Sequence, residues 1–317
     1  MEFDLIARHF TRATPGAVLG VGDDCALLAP TPGMQLAVSS DMLLEGRHFS
    51  PQASPAGLGH KSLAVNLSDL AAMGATPRWA TLSIALPDAD DIWLAAFTRG
   101  FFRMADRHGI ELVGGDTTRG VLTISITVIG EVPPGQALRR DGAQAGDDIW
   151  VSGVIGSAAL ALAYRQGRLS MNPVDAARVL PALCLPTPRV ELGIALRGIA
   201  SSAIDISDGL LGDLGHILER SRVGATLEFS AVPTLPVAQI YLHDAVARDC
   251  ILAGGDDYEL CFTAPAGRRE AVQAAAATAG VAVTRIGRIT AVPGLTVLDA
   301  DGQPLPFEHT GHDHFAP

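Results

Sequence analysis

Apolar positions at Leu63, Leu67, Leu70 and Gly74 recur at helical spacing and predict a helix that buries this stripe. The same spacing runs through Ser62, Asn66, Asp69 and Met73, which sets Asn66 and Asp69 side by side, roughly 5–6 Å apart at Cβ. A carboxylate and an amide on an otherwise small, apolar helix need partners. A lone Asp of this kind is more often a capping or turn residue. It becomes a candidate metal ligand only if the rest of the chain supplies further oxygen donors.

Upstream, Phe3, Ile6, Ala7 and Phe10 share one face of a short helix within residues 1–15, and residues 36–41 read as a strand running into the polar end Ser39-Ser40-Asp41. Downstream, the pattern predicts a strand over 80–86, a helix over about 90–108 and a strand over 121–131. In the last of these, Leu122, Ile124, Ile126 and Val128 alternate with Thr123, Ser125, Thr127 and Ile129, as in a strand with one face more buried than the other. Residues 133–146, rich in Pro and Gly and carrying Arg139 and Arg140, are the best linker, so the expected domains are 1–134 and 135–317. The second half reads as a strand over 148–152, an Ala-rich helix over 156–167 and helical segments over 173–198 broken by Pro181, Pro186 and Pro188. A helix opening within 203–211, a strand over 259–263, a helix over 267–279 and a strand over 281–289 follow. The expected fold class is α+β, built of two α/β-like halves.

The halves echo each other. Leu67-Ser68-Asp69 returns as Ile206-Ser207-Asp208, and Gly114-Gly115-Asp116 as Gly254-Gly255-Asp256, both about 140 residues later. Matches this short also arise by chance in a chain with 34 glycines, so an ancient duplication stays open. The shared order suggests two halves presenting similar loops to one cleft.

Length and composition narrow the class. With 317 residues, 48% hydrophobic and 18% charged, the chain fits two compact domains and not a disordered polymer. A net charge of −11 argues against nucleic acid as a partner, since phosphate-backbone binding needs clustered Lys and Arg. Nucleotides remain compatible, because Mg²⁺ can stand between carboxylates and phosphates. The start lacks the basic and apolar regions of a signal peptide, and no apolar run reaches the roughly 18 residues of a membrane span. Four cysteines without CxxC spacing read as reduced thiols of a cytoplasmic protein, with zinc disfavoured.

The chemistry sits in acids flanked by Gly or Ser: Asp23, Asp24, Asp41, Asp69, Asp116, Asp205, Asp208, Asp256 and Asp257. Each alone would be a turn residue. Together they suit hard divalent cations, which take oxygen ligands. The cluster His309, His312 and His314 is as compatible with a polar tail as with a site. No P-loop, no GxGxxG opening a helix and no GxSxG elbow is present, which leaves phosphate chemistry through metals and backbone amides.

The segments GVGDDCALL (20–28), SSDMLLEGRHF (39–49), NLSDLAAMGA (66–75), GGDTTRG (114–120), AIDISDGL (203–210) and GGDDYEL (254–260) resemble the thiamine-monophosphate kinase family of the aminoimidazole ribonucleotide synthetase superfamily. The resemblance spans nearly the whole chain. It implies a two-domain fold of that type, ATP-dependent phosphorylation of thiamine monophosphate to thiamine diphosphate with several Mg²⁺ ions, and a homodimer whose N-terminal sheets pack together. By position it implies Asp69 and Asp208 at the reaction centre. Asp23, Ser39, Ser40, Asp41, Asp69, Asp116, Asp205 and Asp208 would hold metals. Gly115, Asp116, Arg140 and Ser207 would meet ATP, and His48, Asp256 and His309 would meet thiamine monophosphate. Two departures bear on substrate recognition: His309 and His312 stand where relatives place aromatics, and Asp256 where they often place Glu. The alternatives are another ATP-dependent enzyme of the superfamily and a non-catalytic nucleotide- or thiamine-binding regulator.

Overall fold

The computed structural model describes residues 2–307 and 309–311. It divides into two compact units, one reaching from the N-terminus to Leu70 and taking in Ala75–Gly135, the other formed by Ala71–Gly74 and the chain from Gln136 onward.

The first unit contains α1 (Glu2–His9), β1 (Gln35–Leu44), α2 (Pro55–Ala72), β2 (Thr76–Leu86), α3 (Asp91–His108), β3 (Glu111–Arg119) and β4 (Thr123–Val132). Its sheet has the order β1-β4-β2-β3, with β2 and β3 parallel and the other pairs antiparallel. Helix α3 makes the crossover that a parallel pair requires. Its start is fixed by Asp90, whose carboxylate accepts from the amides of Ile92 (2.8 Å) and Trp93 (3.1 Å). Helix α2 starts eight residues before the expected stripe; Leu63, Leu67 and Leu70 are buried, and on the flank Ser62 and Asn66 are buried while Asp69 is half-buried and Met73 exposed. On β4 the expected alternation holds, with Ile124, Ile126 and Val128 fully buried and Thr123, Ser125, Thr127 and Ile129 half-buried.

The second unit comprises β5 (Asp148–Ser152), α4 (Ser157–Arg165), α5 (Pro173–Cys184), α6 (Val190–Ala195), β6 (Ser202–Ile206), α7 (Leu210–Ser221), β7 (Gly224–Glu228), α8 (Pro236–Ile240), α9 (Ala245–Leu252), β8 (Glu259–Ala264), α10 (Arg269–Ala279), β9 (Val283–Thr290) and β10 (Gly294–Leu298). The strands form one sheet, β10-β7-β9-β5-β8-β6, in which β10 and β7 are parallel and the rest antiparallel. Ile149, Val151, Ile204, Ile206, Leu214 and Ile217 belong to a core that joins α7 to the sheet. A second cluster, with Ala158, Leu160, Val179 and Ala247, packs α4 against α5 and α9. The strands β3, β6, β7 and β10 and the helices α8 and α9 are additions to the sequence reading, and residues 202–206, expected to lead into a helix, are the strand β6.

Candidate active site

In the first unit, β1 and α2 are locked face to face by two side-chain bonds. Ser39 Oγ donates to Asp69 Oδ2 (2.5 Å), and the backbone amide of Asp41 donates to Asn66 Oδ1 (3.0 Å). The Asn66 amide group in turn donates to the carbonyl of Ser62, one helical turn back (2.9 Å). Ser39 opposite Asp69 and Asp41 opposite Asn66 make the helix run antiparallel to the strand. The half-buried carboxylates of Asp41 and Asp69 therefore belong to the same facing surfaces. Asn66 is a strut for the strand that carries Asp41.

The register separates the other expected ligands of this unit. Asp41 pairs through Ile126 and Leu82 to Gly115, whereas Met42 pairs through Ser125 and Ser83 to Asp116. Side chains alternate between faces, so Asp116 lies on the face opposite Asp41 and three strands away, roughly 14 Å. Ser40 shares the face of Asp116. Its hydroxyl donates to the carbonyl of Ile126 (3.1 Å) and accepts from Thr127 Oγ1 (3.0 Å). Asp23 is exposed in a loop, where its carboxylate accepts from the Asp24 amide (2.9 Å). His48 closes the far end of β1, its Nδ1 accepting from the Leu44 amide (3.0 Å), which leaves the ring proton on Nε2. Gly115 has φ 147° and its missing side chain would sit 1.8 Å from the carbonyl oxygen of Leu82, so the β2–β3 pairing here demands glycine.

In the second unit, β6 delivers the buried Asp205 and runs into the turn Ser207-Asp208-Gly209 that starts α7. The segment 253–258 is stitched to that turn: the Asp256 amide donates to the Ser207 carbonyl and the Tyr258 amide to the Ile206 carbonyl, each at 2.8 Å. Gly255 permits the approach, since a Cβ there would lie 2.2 Å from the Ser207 oxygen. Asp256 (φ 71°) and Tyr258 (φ 52°) are both left-handed, a strain of about 1–3 kcal/mol each that tends to mark functional loops. The Tyr258 hydroxyl donates to Asp256 Oδ1 (3.0 Å). The structure thus joins Asp205, Ser207, Asp208 and Asp256 in one place. The tail arrives beside them, because a side chain at Gly311 would reach within 3.2 Å of the Asp208 carbonyl, with the exposed His309 two residues before it. His312 and His314 lie outside the described residues. Arg140 is exposed in the segment beside β6, its carbonyl accepting from Ser221 Oγ (2.9 Å).

One acid was missed, Asp213, and another, Asp257, counted among the candidate cation ligands, is turned onto backbone amides instead. Asp213, buried in the first turn of α7, accepts the amides of Ser207, Asp208 and Gly209 on a single oxygen at 3.0, 3.1 and 3.0 Å. Burial and the neighbouring Asp208 carboxylate push its carboxyl up to about 7 against the pull of those amides. Asp257 keeps part of its surface exposed, yet its carboxyl turns inward onto the amides of Gly156 (2.7 Å) and Ala158 at the start of α4. Burial raises its carboxyl well above the usual carboxylate range. Asp257→Ala is expected to cost about 2–4 kcal/mol by orphaning two amides, and Asp257→Asn less, as judged from thermal melts. The folded state favours the protonated acid, so wild-type stability relative to the Asn variant is present at acid pH and declines as pH rises from about 4 upward. Melts between about pH 5 and about pH 8 in which that difference grew with pH would contradict the assignment.

Every candidate ligand is an oxygen atom of Asp or Ser, which fits a hard divalent cation and not zinc. Among the described residues, no three His, Cys, Asp or Glu side chains converge to hold a metal by themselves. Among them, too, no helix is long and apolar enough to cross a membrane.

Comparison with known proteins agrees over the full length. The N-terminal domain model of AIR synthase related protein matches residues 22–132, and the C-terminal domain model matches residues 144–300. Thiamine-monophosphate kinase of Salmonella typhimurium is 46% identical over 320 residues, covering 99% of this chain and 98% of the relative. The chain belongs to the thiamine-monophosphate kinase family. A family structure from Stenotrophomonas maltophilia K279a superposes with a TM-score of 0.85 at 49% identity, covering 96% of each chain. A second, AaThiL complexed with AMPPCP and TMP, superposes with a TM-score of 0.77 at 27% identity, covering 98% of this chain and 96% of that one. The two-domain fold of the thiamine-monophosphate kinase family is therefore the fold of this chain.

Proposed function

We infer that this chain transfers the γ-phosphoryl group of ATP to thiamine monophosphate, giving thiamine diphosphate and ADP. The observation that carries the reading is the full-length likeness to the thiamine-monophosphate kinases, one of which is complexed with AMPPCP, an ATP analogue, and TMP. A terminal oxygen of the acceptor phosphate attacks the γ-phosphorus, and the bond to the bridging oxygen breaks with its electron pair leaving on ADP. Both reactants are anions, so positioning and charge neutralisation are the main tasks. Magnesium, when bound, supplies that neutralisation and aligns the two phosphates.

In this reading Asp23, Ser39, Asp41 and Asp69 of the first unit hold cations, and so do Asp205 and Asp208 of the second, Asp69 and Asp208 being the acids assigned to the reaction itself. Ser207 and Arg140 meet the nucleotide, and His48, Asp256 and His309 the thiamine monophosphate. Direct transfer between two phosphates needs no covalent enzyme intermediate, so Ser39 and Ser207 act as ligands and not as nucleophiles. The reading includes a homodimer formed through the outer face of the first sheet, where Leu36, Val38, Met42 and Leu44 of β1 are exposed. Ser40 and Asp116 lie on that face, so their contacts with metal and nucleotide would be made where two copies meet, whereas Gly115 falls on the register line of Asp41 and would meet the nucleotide through its backbone. The working compartment is the cytoplasm.

Incubating the purified chain with ATP, Mg²⁺ and thiamine monophosphate, then separating the products, tests the reading. Thiamine diphosphate and ADP should form together, and thiamine itself should remain unphosphorylated; absence of thiamine diphosphate would refute it. Tyr258→Phe, which removes the hydroxyl that orients Asp256, is expected to raise the KM for thiamine monophosphate about tenfold with a smaller change in kcat. An unchanged KM would separate Asp256 from substrate binding.

A further inference from the structure

A strand that turns through glycine into a helix is ordinarily a ready anion site, because the first amides of the helix point outward and carry the positive end of its dipole. The turn Ser207-Asp208-Gly209, between β6 and the twelve-residue α7, has that layout, with Gly209 at φ 130°. Its amides do not point outward to a ligand. All three converge on Asp213 Oδ2 at 3.0, 3.1 and 3.0 Å, and Asp213 is buried. The chain has filled the place of a bound phosphate with its own carboxylate. A second helix start in the same unit is closed in the same way: ahead of α4, the Gly156 amide is taken by Asp257 at 2.7 Å.

We propose that Asp213 is a positioning residue for the nucleotide: it holds the Ser207, Asp208 and Gly209 amides inward, denies this turn to bare phosphate, and leaves the half-buried Asp208 carboxylate as a cation-binding group. The inference rests on the reading above that ATP is a substrate, and it adds the form in which this turn accepts it, as a cation complex only. The carboxylates of Asp208, beside Asp213, and of Asp256, on the segment stitched to the same turn, bear on it from within the unit. A free triphosphate would meet those charges without a single amide of the turn to receive it. With a divalent cation between, the same carboxylate becomes attractive.

The test is binding, not turnover. Calorimetry with AMPPCP is run on the full chain in Mg²⁺ and in EDTA, for wild type, Asp213→Ala and Asp213→Asn. Deuterium exchange of the amides of residues 207–209 is followed in parallel. Wild type is expected to bind about a hundredfold more tightly with Mg²⁺ than without. In Asp213→Ala the three amides should exchange at least about tenfold faster and the Mg²⁺ preference should fall below about tenfold, because the turn can now receive phosphate directly. Asp213→Asn keeps an acceptor oxygen but loses the charge, and its preference should lie between the two. A purely structural Asp213 would lower the melting temperature and leave the Mg²⁺ preference alone. Wild-type binding equally tight in EDTA would overturn the inference, as would a folded Asp213→Ala with the wild-type ratio. If Asp213→Ala does not fold, a wild-type ratio in Asp213→Asn does so instead. Because AMPPCP binding is read without thiamine monophosphate, failure to phosphorylate that substrate would count against the proposed function and not against Asp213.

Discussion

Asp69→Ala is expected to lower kcat about a thousandfold while shifting the melting temperature by only a few degrees. The large kinetic effect follows from where the carboxylate is held. Helix α2 is buried on its apolar stripe and clamped to β1, so Asp69 is presented on a rigid support, with Ser39 donating to it at 2.5 Å. A group held so firmly, and assigned to the charge that builds up between two phosphates, contributes mostly to the transition state. The small thermal effect follows from its half-buried position, because removing it forfeits one hydrogen bond worth about 1 kcal/mol. Asn66→Ala should show a milder kinetic loss, about 10–100-fold, since Asn66 acts through the Asp41 amide and touches no substrate. Steady-state kinetics and thermal melts on the same preparations check both variants. A kcat for Asp69→Ala within about tenfold of wild type would remove Asp69 from the reaction centre.

Gly115→Ala is expected to destabilise the first unit by more than about 4 kcal/mol, enough to make the protein fold poorly or melt at least about 10 °C lower. The added methyl would stand 1.8 Å from the carbonyl oxygen of Leu82, and the backbone there is at φ 147°. The obstructing atom is main chain in the middle of the β2–β3 pairing, so neither strand can yield without breaking the ladder. Gly114 one residue earlier meets nothing within 4 Å, and Gly114→Ala should be tolerated far better. Soluble yield and melting temperature of the two variants distinguish a backbone requirement at one position from a general intolerance of the motif. Equal behaviour would show that the pairing can relax around a side chain.

The same stretches explain how much was legible beforehand. The helix of Leu63, Leu67 and Leu70 was readable because burial follows periodicity, and the polar turns were readable because glycine next to acid has few ordinary uses. The family and two-domain fold followed from motif order. What sequence concealed was direction. Ser39, Ser40 and Asp41 form one polar run, yet alternation sends Ser40 to the opposite face, and only the register through β4 and β2 shows Asp116 following it. Asp213 drew no reading from sequence, because its service to three amides depends on the path of the turn before it. Its spacing, four residues after the glycine that opens α7, was the available signal. The left-handed backbone had a weak signal at Asp256, since Asp adopts a positive φ more readily than most residues, and none at Tyr258. The strands β7 and β10 were missed because each is short, five residues, and one edge of the sheet is parallel.

The account stands on phosphoryl transfer from ATP to thiamine monophosphate, and isotopic labelling follows the transferred group itself. ATP carrying ¹⁸O on the non-bridging oxygens of its γ-phosphate is incubated with thiamine monophosphate, Mg²⁺ and the purified chain, and the products are weighed by mass spectrometry. Thiamine diphosphate should carry all of the label in its terminal phosphate, in step with ADP. Label recovered in inorganic phosphate, with thiamine monophosphate unchanged, would contradict the account.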